Sequence, residues 1–286
     1  MDSQFSKSNQ NNTNINTNKL CKFYLKNSCK KDNCKFSHSN NTINNNISKN
    51  NNRHKLLKNN KNTVCFEPMT RPVDLRIVYD LNPNHLETQL TDRDLLLVPN
   101  LFSDFNKLEL YNNLVNEIKL CEQTKPDLLK LWHGNDKIAG THLIADDKLG
   151  WKQYSPTFKF ILERLQYYFN VDIKATRFNW YQDTNQWKPF HFDAAAFDPK
   201  KRETQNITIA LSLGGTRSTA LEFAEKNKNN TQTTIAIPIA DGEIYAFTNT
   251  TNDIWRHGIL QEKEFKDEGR ISIIIWGWTD YVSKLD

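Results

Sequence analysis

The chain has 286 residues, room for one domain of about 200 residues with accessory segments. Only 37% of them are hydrophobic, below the globular average of about 45–50%, so part of the chain packs into no core. Its formal net charge is +5, but the first 64 residues hold 12 Lys or Arg against Asp2 and Asp32, a net +10, which leaves −5 on residues 65–286.

A basic arm on an acidic body suggests a polyanionic partner met by the arm. The plainer alternative is a solvated Lys/Asn tail with no partner. No apolar run approaches the ~20 residues of a membrane span; the longest, Ile271 to Trp278, is strand-sized. The polar N-terminus lacks a signal-peptide core. The expectation is an intracellular protein, cytoplasmic or nuclear, neither secreted nor membrane-bound. Its five cysteines would then be ligands or free thiols rather than disulfides. Oligomeric state is not legible.

Residues 9–18 and 40–61 are Asn-rich and offer little to bury, a composition that predicts disorder. Between them, Cys21-x7-Cys29-x4-Cys34-x3-His38 places three thiolates and an imidazole within 18 residues. Structural Zn(II) takes four such ligands in a closed tetrahedron, and in so small a unit metal binding supplies the folding energy. The spacing resembles that of CCCH zinc fingers. Tyr24 and Phe36 alternate with Lys22, Lys26, Lys30, Lys31 and Lys35, faces for stacking bases beside cations for phosphates. Packing of both aromatics against the zinc ligands is the alternative. The finger resemblance implies single-stranded nucleic acid, RNA favoured. The boundaries that follow are a disordered tail over 1–18, a finger over 19–40, a disordered basic linker over 41–64 and a body over 65–286.

Hydrophobic content returns at Leu95. Residues 95–102 read as a strand and turn, then a helix from about Asp104 to Leu120 with Leu108, Leu110, Tyr111, Leu114, Val115 and Ile118 near helical spacing. A second helix, about Thr157 to Phe169, carries Phe160, Ile161, Leu165, Tyr168 and Phe169. Strands follow at 173–181, 206–213, 218–224, 233–239, 243–248 and 270–278, with turn signals between them. Helices first, then closely spaced strands, predict an α+β body: a double-stranded β-helix, or jelly roll, backed by N-terminal helices.

The chemistry-bearing residues lie in that strand-rich half. His191 and Asp193, in His-Phe-Asp, precede a distant His257. This is the sequence form of the two-His-one-carboxylate triad that binds non-haem Fe(II) and leaves open positions for substrate and O₂. On a strand, His191 and Asp193 would share a face. Arg270 opens the apolar run after His257 and offers the guanidinium fork that a dicarboxylate such as 2-oxoglutarate needs. Trp132, His133, His142, Lys188 and Arg217 read first as structural residues and only second as the lining of a substrate entrance.

Residues 177–193, RFNWYQDTNQWKPFHFD, with ALSLGG (210–215), DGEIYAF (241–247), WRHG (255–258) and RISIIIWG (270–277), resemble the AlkB-like branch of the Fe(II)/2-oxoglutarate dioxygenases. The resemblance covers 171–282 well and the region back to Leu95 loosely. It implies that Asn179 and Tyr181, as an N-x-Y element, hydrogen-bond the 2-oxoglutarate carboxylates. It also implies that Arg270 and Ser272, as R-x-S, hold the distal carboxylate. Relatives carry a second arginine six residues after the first; here that residue is Trp276.

The functional expectation is therefore a dioxygenase that hydroxylates or demethylates RNA or single-stranded DNA. A protein hydroxylase or demethylase is an alternative, favoured by the acidic body and the missing arginine. A third reading, a non-catalytic RNA-binding adaptor, conflicts with the intact triad.

Overall fold

The computed structural model describes residues 75–134, 140–224 and 233–283, and the backbone of 16–20 and 36–37. The chain divides into two units, residues 1–59 and 60–286. In the first, β1 (Asn16–Leu20) pairs in parallel with β2 (Phe36–Ser37). The expected zinc ligands Cys21, Cys29, Cys34 and His38 lie outside the described residues, as do residues 1–15 and 38–74 of the expected tail and linker.

The second unit runs β3 (Arg76–Tyr79), β4 (Leu90–Thr91), β5 (Asp94–Val98), α1 (Glu109–Thr124), β6 (Leu129–His133), β7 (Thr141–Ala145), α2 (Pro156–Phe169), β8 (Val171–Tyr181) and β9 (Lys188–His191). It continues through α3 (Pro199–Arg202), β10 (Ile207–Gly214), β11 (Arg217–Phe223), β12 (Thr234–Ile239), β13 (Ile244–Thr248), α4 (Asn249–Ile254), β14 (Trp255–Ile259), β15 (Arg270–Thr279) and β16 (Val282–Ser283). Eight strands form one sheet in the order β3-β5-β13-β10-β15-β8-β7-β6, antiparallel except for β3 with β5. Four more form a small antiparallel sheet, β12-β11-β14-β9, while β16 and β4 make a separate parallel pair. The body is mixed α+β with a large antiparallel sheet, as the strand spacing predicts. Among the described residues no helix is long and apolar enough to cross a membrane.

Strand alternation explains how one sheet serves two cores. On β15, Ile271, Ile273 and Ile275 are buried against the helices, while Arg270, Ser272, Ile274 and Trp276 point to the opposite face. On β10, Ile207, Ile209, Leu211 and Leu213 join the helix-side core. That core takes Leu110, Leu114 and Ile118 from α1 and Phe158, Ile161 and Leu165 from α2, at the i, i+3, i+4 spacing of a buried helical stripe. The other core lies between the two sheets, where Leu95, Leu97, Tyr245 and Phe247 of the large sheet meet Leu221, Ile235 and Trp255 of the small one.

Two details of the sequence reading are corrected. The first helix starts at Glu109, not near Asp104, because Leu108 sits in the left-handed region at φ 63°. Its N–H is held at 2.6 Å by Asp241 Oδ2, whose Oδ1 accepts from the Gly214 amide at 2.7 Å. Phe160 is 38% exposed, and Phe158 takes the buried position expected of it.

Gly214 closes β10 at φ +94°, and a Cβ there would lie 2.3 Å from the Gly269 carbonyl and 2.8 Å from the Tyr111 ring. Gly214→Ala should therefore lower unfolding stability by about 2–3 kcal/mol, from backbone strain and overpacking together. Chemical denaturation checks this: the midpoint falls at unchanged slope, and an unshifted midpoint refutes the constraint.

Candidate metal centre

The site sits where the edge of the small sheet faces the polar side of the large one. His191 ends β9 and is the cross-strand partner of His257 on β14. Their rings lie 4.3 Å apart, centroid to centroid. Asp193 falls just beyond the end of β9, at the head of the short turn Ala194–Ala196, rather than on the strand. It nevertheless reaches the same point, with Oδ1 3.5 Å from His257 Nε2 and 3.9 Å from His191 Nε2. The three ligand atoms all fall within 4.8 Å of one another. Metal–ligand bonds of about 2.0–2.2 Å place neighbouring ligand atoms about 3 Å apart, so a small closure onto an ion completes the set. A His–Asp–His triad is present.

Protonation and hydrogen bonding suit a metal. His191 Nδ1–H donates to the Pro189 carbonyl at 3.0 Å, which leaves the Nε2 lone pair facing the site. Burial, then the charge of Lys188 and the neighbouring His257, push the His191 pKa well below its ordinary value. Burial works to raise the Asp193 pKa, but His257, His191 and Trp276 together hold it well below the carboxylate range. A neutral His191 imidazole beside an ionised Asp193 carboxylate is the pairing of forms that metal binding requires.

Asp193 itself is fixed by residues that no motif announces. Its Oδ2 accepts from Trp276 Nε1 at 2.9 Å and from Thr208 Oγ1 at 3.1 Å, leaving Oδ1 for the histidines. Its backbone is clamped by the Asn252 amide, which accepts from the Asp193 N–H at 2.9 Å and donates to its carbonyl at 3.3 Å. Trp276, six residues after Arg270 on β15, thus reaches the candidate metal-ligand carboxylate directly. Strand periodicity held that signal: residues 270, 272, 274 and 276 of β15 share a face. Thr208 and Asn252 carried none.

The pocket beyond the triad is lined by Asn179, Tyr181, Ser272, Tyr245, Phe247 and Ile259, among others. On adjacent strands, Tyr181 is opposite Arg270 and Asn179 is opposite Ser272. The N-x-Y and R-x-S elements are thus one cross-strand patch, drawn from segments about 90 residues apart in sequence. Arg270 is fully buried. Its Nε donates to Ser212 Oγ at 2.8 Å, its guanidinium lies 5.6 Å from the Tyr181 ring centroid and within reach of the Tyr245 hydroxyl, and it meets no carboxylate among the described residues. Burial draws its pKa down, opposed by the Tyr245 and Tyr181 hydroxyls. A buried cation without an anion costs several kcal/mol. An anionic ligand would offset that cost.

The remaining candidates divide. His142 is buried, with Nε2 3.2 Å from Asn179 Oδ1, and its ring stacks on Tyr181 at 4.7 Å. Burial, then the Lys188 charge, push its pKa down to about 3, so it stays neutral and orients the Asn179 amide. The Trp132 ring is tilted against His142 at 4.9 Å, and His133 is exposed. Arg217 is buried and structural, bound to the Gln186 and Leu260 carbonyls and paired with Glu262. Lys188 lines the pocket itself.

No protein-family model matches the chain, and no curated protein matches it. The fold is similar to several solved structures at low identity. OsALKBH1 matches with TM-score 0.29 and 14% identity over 37% of this chain and 49% of that one, so the match spans about half of OsALKBH1. The epimerase SnoN, solved in complex with Fe³⁺, alpha-ketoglutarate and nogalamycin RO, matches with TM-score 0.41 and 14% identity over 64% of this chain and 77% of that one. AviO1 from Streptomyces viridochromogenes Tue57 matches with TM-score 0.39 and 8% identity over 59% and 84%.

The Trp276–Asp193 bond has a measurable consequence. Trp276→Phe keeps an aromatic ring but removes the donor, and should weaken Fe(II) or Co(II) binding by about tenfold. Metal titration of the variant checks this; an unchanged affinity would mean that Thr208 alone holds the carboxylate.

Proposed function

We propose that the protein is an Fe(II)- and 2-oxoglutarate-dependent dioxygenase of the AlkB-like kind, hydroxylating or demethylating RNA or single-stranded DNA. One observation carries the reading: a pocket lined by a His–Asp–His triad and by Tyr181, Tyr245 and Ser272 lies beside the fully buried Arg270 guanidinium, which meets no carboxylate among the described residues. A dicarboxylate that chelates a metal at one end and meets a cation at the other fits those demands.

His191, Asp193 and His257 would hold Fe(II) through Nε2, Oδ1 and Nε2. Iron held there with 2-oxoglutarate and O₂ would supply an oxidation that releases succinate and CO₂ and places oxygen on a substrate C–H bond. Arg270 receives the distal carboxylate in a two-pronged grip, and Ser272 and Tyr181 flank it. Asn179, its carbonyl committed to His142, presents its amide N–H groups to the nearer carboxylate. Phe247, Ile259 and Ile274 give the pocket apolar walls that limit water. A base substrate must be unstacked or single-stranded to reach such a recess. Zn(II) bound by Cys21, Cys29, Cys34 and His38 would fold a finger that recruits such strands, and a tether of about 25 residues raises their local concentration.

His191→Ala and Asp193→Ala should each abolish succinate release from 2-oxoglutarate while circular dichroism remains unchanged. Turnover retained in both variants removes the triad assignment. Arg270→Ala should raise the KM for 2-oxoglutarate by roughly 10- to 100-fold with iron affinity intact, the loss of a charge-assisted pair of about 1.5–3 kcal/mol. An unchanged KM means the anchor lies elsewhere. Substrate class is tested by succinate release against methylated RNA, methylated DNA and peptide pools; stimulation by peptides alone refutes the nucleic-acid assignment.

A further inference from the structure

Lys188 reaches the metal pocket by an irregularity in the small sheet. Between His257 and Ile259 the register slips, so that His257 is opposite His191 and Ile259 is opposite Lys188. Two steps along β14 therefore span three along β9, the signature of a bulge carrying one extra residue. Without it, Lys188 and His191, an odd number of residues apart, would face opposite sides. With it, both face inward. Gly258 makes room: a Cβ there would lie 2.7 Å from the Lys188 carbonyl and 3.1 Å from the Phe190 nitrogen.

The lysine so delivered makes no hydrogen bond or ion pair among the described residues, although it is half-buried and lines the pocket. Burial lowers its pKa to about 8, with Asp193 opposing and the nearby Arg177 adding to the shift. Arg177 lies on β8 two residues before Asn179, opposite the pocket residue Ile274. It too is half-buried and has no partner among the described residues.

Charge balance says what these two cations are not for. The dication of Fe(II), reduced by Asp193 and joined by Arg270, is already matched by the two carboxylates of 2-oxoglutarate. Lys188 and Arg177 remain unneutralised on a body whose net charge is −5 over residues 65–286. We infer that Lys188 and Arg177 form a subsite for an anionic group of the primary substrate, a phosphodiester under the nucleic-acid reading on which this inference rests. A phosphate seated there holds the strand at the mouth while the adjoining base enters the recess.

The test uses the full chain with Fe(II) and 2-oxoglutarate under anaerobic conditions. A single-stranded trinucleotide and its uncharged methylphosphonate analogue are titrated in calorimetry across a salt series. Wild-type protein should prefer the charged trinucleotide. Lys188→Met and Arg177→Met should each weaken it roughly tenfold and reduce the salt slope by about one. Arg177→Lys should recover part of the loss. The 2-oxoglutarate affinity of every variant should stay within twofold of wild type, which also reports an intact fold. A wild-type preference that neither Met variant alters overturns the inference alone. A tenfold loss of 2-oxoglutarate affinity in Lys188→Met assigns the lysine to the co-substrate and likewise overturns it. Wild-type protein that binds 2-oxoglutarate but neither trinucleotide overturns the nucleic-acid reading, and the subsite with it.

Discussion

A guanidinium buried without a carboxylate is the constraint around which the body is arranged. Arg270 opens a strand whose next residues alternate into the helix-side core, so its backbone cannot shift without unseating Ile271, Ile273 and Ile275. Ser212, Tyr181 and Tyr245 on the neighbouring strands surround the charge without neutralising it. Leaving a charge unpaired in the interior is costly, and folding tolerates that cost where a ligand later offsets it. Under the proposed function, the triad and the N-x-Y patch supply the rest of that ligand's environment.

The metal wall obeys a similar logic of committed atoms. One oxygen of Asp193 is occupied by Trp276 and Thr208, so the other is the one offered to a metal. One nitrogen of His191 is occupied by a backbone carbonyl, so the other is free. One side of the Asn179 amide is occupied by a neutral histidine. In each case a neighbour fixes which atom of a two-atom group remains available, and that choice sets the geometry before any ligand arrives. Trp276 is a neutral donor to Asp193, so the positive charge at this pocket comes from Lys188, which lines it.

Much of the body was legible because its signals are local. The strand starting at Arg270 reads as an apolar run, α2 carries an apolar stripe, and H-x-D with a later His is recognisable by residue type alone. Errors arose where a distant group decided. The start of α1 depends on Asp241, 133 residues downstream of Leu108, and nothing near Asp104 signals it. Phe160 and Phe158 are two residues apart, and only packing against the sheet selects which is buried. His142 read as a marginal candidate because its partner, Asn179, lies on a different strand.

The sequence by itself determined the residue chemistry: which side chains can ligate a metal, which arginine precedes a strand, which runs are strand or helix, and where the basic tail gives way to an acidic body. These follow from side-chain identity and from periods of two and 3.6 residues, which need no partner. Tertiary structure alone decided pairing and register. It set Tyr181 opposite Arg270 and Asn179 opposite Ser272, turned Trp276 onto Asp193, and inserted the bulge that aims Lys188 inward. Register is a property of two strands at once, fixed by the burial of both faces of a sheet, so neither strand's sequence contains it.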